Sequence, residues 1–258
     1  MDASNPTTRF SNRVADYVRH RPGYPLEVLA CLVTEFGLNS HHVVADVGSG
    51  TGILTEMLLR AGRTVYAIEP NRDMRAAAEE SLSRFPGFHS LDGSAEDTSL
   101  PNASVDWITA AQAFHWFDVD RARAEAVRIL RPGGRVALLW NNRREDTPML
   151  REYEALLQEF GIDYARIKHQ NAEADGRIPR FFGGREFALR SFRNAQSCDF
   201  DSLKGRTLSA SYMPAVDHTR YPAMIEALRS LYDAHQEKDS IRIDYETRMY
   251  VGPIHADG

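Results

Sequence analysis

A glycine-rich segment that follows an apolar run is the part of this sequence best suited to binding a ligand. Residues 43–55 read VVADVGSGTGILT, so a β-branched run ends near Asp46 and passes into GSGTG at 48–52. This order predicts a strand, a glycine loop and the start of a helix. Because glycine has no Cβ, the loop can bring its backbone N–H groups and a helix N-terminus close to a bound molecule.

An acidic residue follows the next predicted strand. Thr64–Ile68 is a second short apolar run, and Glu69 comes directly after it. A carboxylate at that position can accept hydrogen bonds from both hydroxyls of a ribose. The loop spacing is G-x-G-x-G, and Ile53 stands where the third glycine of a dinucleotide-binding G-x-G-x-x-G would be. The pattern therefore favours a nucleoside ligand other than a nicotinamide dinucleotide.

Strand and helix patterns alternate along the chain, which predicts an α/β fold with a doubly wound, mostly parallel sheet. The predicted strands are 43–47, 64–68, 87–91, 104–110 and 134–140, followed by 187–193 and 241–251. The predicted helices are 10–20, 25–36, 52–61, 71–84, 119–129, 148–160 and 221–236. Residues 161–185 are polar and contain glycine, which predicts a loop or lid.

Composition excludes several classes of protein. The 258 residues carry a net charge of −5, which argues against a nucleic-acid partner. No apolar run approaches the roughly 20 residues that span a bilayer, and the N-terminus has no apolar signal core, so a cytoplasmic protein without a membrane partner is expected. Cys31 and Cys198 lie far apart and outside any metal-ligand spacing, and no metal site is predicted.

Several motifs together resemble class I S-adenosylmethionine (SAM) dependent methyltransferases. They are Asp46 with its GSGTG loop, IEPN at 68–71, GSAED at 93–97 and LRPGG at 130–134, and the resemblance covers residues 40–142 closely. Residues 10–25 and QAFHWFD at 112–118 are similar to the type 11 small-molecule branch, which includes enzymes similar to trans-aconitate methyltransferase. The resemblance implies SAM as cofactor. It also implies a Rossmann-like seven-stranded sheet with one antiparallel strand, helices on both faces and a partly helical cap.

The resemblance implies cofactor contacts at the strand ends and in the N-terminal segment. Asp46 would receive the ammonium of the methionine moiety, directly or through water, or would only cap the loop. Ser94 stands where many relatives carry an aspartate for the adenine, and Glu96 is either a contact or a solvated turn residue. The expected cofactor-binding residues are Tyr17, Arg21, Asp46, Gly48, Ser49, Gly50, Glu69, Pro70, Asn71, Ser94, Ala95, Glu96, Ala111 and Gln112.

A second set of residues is expected at the methyl acceptor, namely Tyr24, His115, Trp116, Arg143 and Arg144. His115 is the histidine placed to act as a general base, although a carboxylate acceptor is already ionised and needs none. Arginines bind carboxylates through a two-pronged hydrogen bond, so Arg143 and Arg144 could hold an acidic acceptor or could form a solvated charged turn. Phe114 and Phe117 are either part of an aromatic shelf beside the sulfonium or ordinary core residues.

These observations lead to one prediction of organisation and activity. One domain is expected, with residues 1–40 as an N-terminal helical cap segment, 41–142 as the SAM-binding core, and 143–258 as the rest of the sheet with substrate cap insertions. The expected activity is methyl transfer from SAM to a small molecule, and the resemblance favours a carboxylic acid. A SAM-binding regulator or an inactive homologue fits the same motifs. The oligomeric state is not indicated.

Overall fold

A computed structural model describes residues 13–162, 164 and 175–254. The first half of the described chain alternates between helices and strands, in agreement with the pattern in the sequence. The helices are α1 Val14–His20, α2 Leu26–Thr34, α3 Ile53–Arg60, α4 Arg72–Leu82 and α5 Val119–Ile129. The strands are β1 Val43–Val47, β2 Thr64–Ile68, β3 Phe88–Leu91, β4 Val105–Ala111 and β5 Leu130–Arg143, with a 3-10 turn at Phe114–Trp116.

The second half adds a group of helices and two long strands. The helices are α6 Pro148–Phe160, α7 Arg177–Phe181, α8 Phe200–Leu208 and α9 Tyr221–His235. The strands are β6 Ala188–Cys198 and β7 Ile241–Pro253. None of the described helices is long and apolar enough to cross a bilayer. Within the described ranges no group of three or more His, Cys, Asp or Glu side chains is arranged to hold a metal ion.

The strands form one seven-stranded sheet in the order β3-β2-β1-β4-β5-β7-β6. Strands β1 to β5 pair in parallel, and β7 lies antiparallel to both β5 and β6. The predicted fold class, a mostly parallel sheet with one antiparallel strand, is therefore confirmed. β1 is central and almost wholly buried, which explains why VVADV lacks the alternation of a half-exposed strand.

Local chemistry sets several helix starts. The side chain of Asn71 accepts hydrogen bonds from the backbone N–H groups of Asp73 and Met74 and so caps α4. Thr147 caps α6 through the N–H of Leu150, and a proline occupies the first turn of that helix. These caps explain why the predicted starts of α4 and α6 agree with the structure to within one residue.

The predicted loop at 161–185 is wrong in one part. Residues 177–181 form α7, which buries Ile178 and Phe181. The ring of Phe181 packs edge-on against that of Phe114 at a centroid distance of 5.1 Å, so tertiary packing stabilises a helix too short to be recognised from its pattern. Residues 163 and 165–174 lie outside the described residues, as do residues 10–12 of the predicted first helix.

Helix α8 was not predicted, and its glycine explains the omission. Gly205 lowers the intrinsic helix propensity of this segment. A Cβ at Gly205 would lie 2.1 Å from the ring of His20, so the glycine allows α1 to pack directly on α8. Arg13 strengthens this contact by donating to the carbonyl oxygens of Leu208 and Ala210. The N-terminal segment is thereby held against the helices of the second half.

Candidate functional site

A cavity lies at the carboxyl ends of the central parallel strands. Its lining includes Asp46 in β1, Glu69 after β2, and Ala111 and Gln112 at the end of β4. The chain leaves β1 towards β2 on one side, while β4 pairs with β1 on the other side, so the strand order reverses here. Ligands of open α/β sheets bind at such a reversal.

The glycine loop approaches this cavity with its backbone. Gly48 has φ +68°, and a Cβ on it would lie 2.6 Å from the Cβ of Ala113. The N–H groups of Gly48 and Ser49 both donate to the carbonyl of Ile68, and that of Gly50 donates to Glu69. These N–H groups are thus used within the protein. The loop fits a neutral part of a ligand better than a pyrophosphate, which needs N–H groups directed at its oxygens.

Glu69 is positioned by two backbone hydrogen bonds. Its Oε2 accepts from Gly50 N at 2.9 Å, and its Oε1 accepts from Asn71 N at 2.8 Å. The residue is 7% exposed, and burial raises the pKa of its carboxyl. Each oxygen of a carboxylate has a further lone pair, so Glu69 can still accept hydrogen bonds from two ligand hydroxyls.

Asp46 is a buried carboxylate without a cation beside it. Its two oxygens accept hydrogen bonds from the hydroxyls of Thr55 at 2.6 Å and Thr109 at 2.8 Å. It is 1% exposed, and no Lys, Arg or His of the described chain forms an ion pair with it. Burial raises its pKa to about 6. Because an uncompensated buried charge is costly, this site fits a ligand that brings a positive group.

We expect Thr109→Val to lower stability at neutral pH more than at acidic pH. Thr109 pairs with Asp46 across β4 and β1, and valine keeps its shape while removing the donor. The ionised Asp46 then loses a hydrogen bond worth about 1 kcal/mol, and its pKa rises above about 6. Urea unfolding at pH 7 and at pH 5 measures the effect. An equal loss at both pH values would contradict an ionised Asp46.

The residues expected around the adenine line one side of the cavity, with one exception. Pro70, Ser94, Ala95 and Glu96 contribute to the lining. Glu96 Oε1 also accepts from the backbone N–H of Asp118 at 2.8 Å, so Glu96 connects the cavity to the start of α5. Asn71 is 1% exposed and caps α4, which places it behind the cavity wall.

The N-terminal segment covers the cavity with aromatic side chains. Tyr17 and Tyr24 both line it, whereas Arg21 lines a second, neighbouring cavity. The guanidinium of Arg21 lies 4.8 Å from the ring centroid of Tyr17, and its Nη2 donates to the carbonyl of Ser209. Arg21 therefore connects Tyr17, in the wall of the first cavity, to the end of α8.

The second cavity shares one wall with the first. The shared residues are Tyr17, Tyr24, Ile53 and Gln112. Gln112 has φ +56°, a conformation that non-glycine residues rarely adopt and that is typical of functional sites. Its Nε2 donates to the carbonyl of Asn141 at 3.2 Å, which fixes the side chain between the two cavities. After the ligands that the sequence predicts for them, we call the first the cofactor cavity and the second the acceptor cavity.

The structure separates the residues expected at the acceptor. Tyr24 and Arg143 line the acceptor cavity, and Trp116 lines the cofactor cavity. His115 is not among the residues that line either cavity, and its ring packs on that of Trp116 with centroids 4.8 Å apart. Arg144 pairs with Asp146 and lines an open groove further out.

Sequence reasoning did not identify the far wall of the acceptor cavity. This wall is formed by Glu154, Tyr164, Arg206, Tyr212 and Tyr245. They come from α6, α8, β7 and the segments between them, and no spacing along the chain connects them. Glu154 forms a buried ion pair with Arg143. The arginine that was expected to be open to an acceptor is thus already neutralised.

Comparisons with known proteins identify the family. Residues 45–138 match the family described as a methyltransferase domain. Over 248 residues the chain is 30% identical to an uncharacterized methyltransferase-like protein of Schizosaccharomyces pombe, and the match covers 93% of each chain. This chain belongs to the methyltransferase family. The family match, the relatives and the sheet order support a class I SAM-dependent member, as the motifs predicted.

The chain is also similar to a second curated protein and to a solved structure. It is 38% identical over 152 residues to an uncharacterized methyltransferase of Mycobacterium tuberculosis, and the match spans 59% of this chain and 60% of that protein. It also superposes on a solved structure assigned as a type II methyltransferase from Anaeromyxobacter dehalogenans, with TM-score 0.62 and 26% identity over 92% of this chain and 99% of that one.

A third relative carries the same fold at lower identity. It is a phosphoethanolamine N-methyltransferase 2 of Haemonchus contortus, solved with phosphomonomethylethanolamine and S-adenosylhomocysteine. The TM-score is 0.56 at 13% identity, over 99% of this chain and 60% of that one. This likeness supports the fold alone. The similarity to trans-aconitate methyltransferase stays a prediction.

Proposed function

We propose that this protein transfers the methyl group of SAM to a small-molecule acceptor, of which a small carboxylic acid is the favoured class. The observation that carries the proposal is the shared wall between two cavities. One cavity holds a buried carboxylate without a cation, and the other is lined by arginines and tyrosines. A cofactor and an acceptor would meet at Gln112 and the tyrosines of the N-terminal segment.

Each proposed cofactor contact follows from the chemistry of a side chain. Glu69 has lone pairs left for the two ribose hydroxyls, and Asp46 would gain an ammonium as its missing positive partner. Ser94, Ala95 and Glu96 would border the adenine, and Tyr17 would cover the ligand from the N-terminal side. SAM supplies an activated methyl group on a sulfonium when it is bound.

Alignment is the main contribution that this chain would make to the reaction. Gln112 is held by the carbonyl of Asn141, and Tyr24 lies beside it on the shared wall. Holding two reactants in line can supply most of the rate of such a displacement. A carboxylate acceptor is already ionised, which agrees with His115 being absent from the lining of both cavities.

Calorimetric titration with SAM, S-adenosylhomocysteine (SAH) and NAD in parallel tests the cofactor. We expect the first two to bind at micromolar levels and NAD not to bind, because the loop N–H groups are already used. Binding of NAD alone would contradict the proposal. A SAM-binding regulator remains the second candidate, and it differs in one result, since SAH accumulates only if the methyl group is transferred.

A further inference from the structure

Arg206 is a buried charged residue in the wall of the acceptor cavity. It lies on α8, is 6% exposed and lines the cavity wall. Its Nε donates to the hydroxyl of Tyr245 at 2.7 Å. Neither terminal nitrogen of its guanidinium donates to any residue that the structure describes. The side chain is thus buried and oriented by one hydrogen bond to a neutral group, and its two terminal nitrogens are available to a ligand.

No carboxylate neutralises Arg206 within the described ranges. Arg143, on the same wall, forms its ion pair with Glu154, and Tyr164 donates to both oxygens of that glutamate. Arg144 is outside the cavity and pairs with Asp146. Because buried charges are normally paired, a lone buried guanidinium facing a cavity indicates a missing anion.

The remaining lining agrees with an anionic occupant. Three arginines and two glutamates line the cavity, so its formal charge is positive. The other polar groups are mainly tyrosine hydroxyls and asparagine amides, which can donate hydrogen bonds to oxygen atoms. A cationic acceptor would face Arg206 without compensation and is disfavoured.

Size and access limit the acceptor further. The cavity volume is about 80 Å³, which suits a small molecule or one end of a longer one. It adjoins the open groove, since Asn142, Arg143, Glu145 and Tyr245 line both. An acceptor can therefore enter from the groove and place its charged group deep beside Arg206.

We propose that Arg206 is the anion-binding residue of this methyltransferase, so that the acceptor carries a carboxylate or phosphate group held by the guanidinium. The inference rests on the proposed function and names the residue that selects the substrate. Arg206 lines the acceptor cavity but not the cofactor cavity, so its effect falls on the acceptor and not on SAM. Tyr245 is a positioning residue, because its hydroxyl accepts from the Nε of Arg206 and leaves both terminal nitrogens of the guanidinium for a ligand.

The test compares the wild type with Arg206→Met and with Arg190→Gln. Arg190 is a half-exposed arginine paired with Glu35 and serves as the control. SAH affinity is first measured by calorimetry. Thermal unfolding is then followed at saturating SAH with increasing succinate, inorganic phosphate or uncharged succinamide. Succinate and phosphate separate the two possible sources of the anion.

We expect the SAH affinities of the three proteins to agree within about twofold. The apparent affinity for succinate or phosphate, taken from the thermal stabilisation, should be at least about tenfold lower in Arg206→Met than in the wild type and Arg190→Gln. Without ligand, Arg206→Met should be as stable as the wild type or more stable, since an unpaired buried charge has been removed. Should this variant not fold, Arg206→Lys keeps the charge without the fork and should still lose anion affinity.

Three results would overturn the inference. They are equal anion stabilisation in Arg206→Met, equal stabilisation by succinamide, and no response of the wild type to either anion. If SAH itself fails to bind the wild type, the proposed function fails instead, which keeps the two failures distinct.

Discussion

Glu69→Ala is expected to weaken SAM binding at least tenfold, which is about 1.4 kcal/mol. The change removes the proposed acceptor of the ribose hydroxyls. It also frees the N–H groups of Gly50 and Asn71, which now donate to the carboxylate, so the loop loses the group that holds it in place. Both effects act in the same direction. Calorimetric titration with SAM measures the loss directly.

Glu80→Ala is the matched control for this experiment. Glu80 lies exposed on α4 and changes the net charge by the same amount without lining the cavity. We expect its SAM affinity to equal that of the wild type. An unchanged affinity in Glu69→Ala would remove Glu69 from the cofactor site, whereas a loss in both variants would indicate a long-range charge effect.

Asp46→Asn is expected to raise the stability of the free protein at pH 7 while abolishing tight SAM binding. The folded-state pKa of Asp46 is about 6 against an ordinary value of 3.8, because burial disfavours the ionised form. Stability therefore falls as the pH rises through this interval, and the asparagine variant escapes that loss. The expected gain is about 1–3 kcal/mol at pH 7. Binding should weaken more than tenfold, because the ammonium loses its counter-charge.

The pH dependence of the wild type provides the control for this prediction. SAM affinity should rise as the pH increases through about 6, since the ammonium is best bound by the ionised carboxylate. Asp46→Asn should show no such rise. A destabilised asparagine variant with normal SAM affinity would mean that Asp46 only caps the loop, which the sequence also allowed.

Much of the lining of the cofactor cavity could be predicted from the sequence, because several of its residues lie at the ends of strands. Asp46 and Glu69 are adjacent to buried β-branched runs, and parallel strands bring their carboxyl ends to one edge. The glycine spacing could be read for the same reason, although the use of its N–H groups within the protein could not. That detail depends on Ile68 and Glu69, which approach the loop only in the folded sheet.

The far wall of the acceptor cavity could not be predicted from the sequence, because only tertiary packing brings its residues together. Arg206 belongs to α8, which the sequence pattern does not predict because Gly205 lowers its helix propensity. That glycine is needed for the close contact with His20. Arg143 was expected beside the acceptor and lines the second cavity, but its neutralisation by Glu154 requires α6 to fold against the end of β5. Periodicity predicts elements, and it carries no information on which charges meet.

Incubating the protein with SAM and a panel of small carboxylic acids, and measuring SAH together with the methylated acid by mass spectrometry, tests the central claim most directly. We expect SAH and one singly methylated acid to form in equal amounts in the wild type, and both to form much more slowly in Asp46→Asn at the same SAM concentration. SAM binding without SAH from any acid, phosphate ester or uncharged analogue would contradict the proposed activity and favour a SAM-binding regulator.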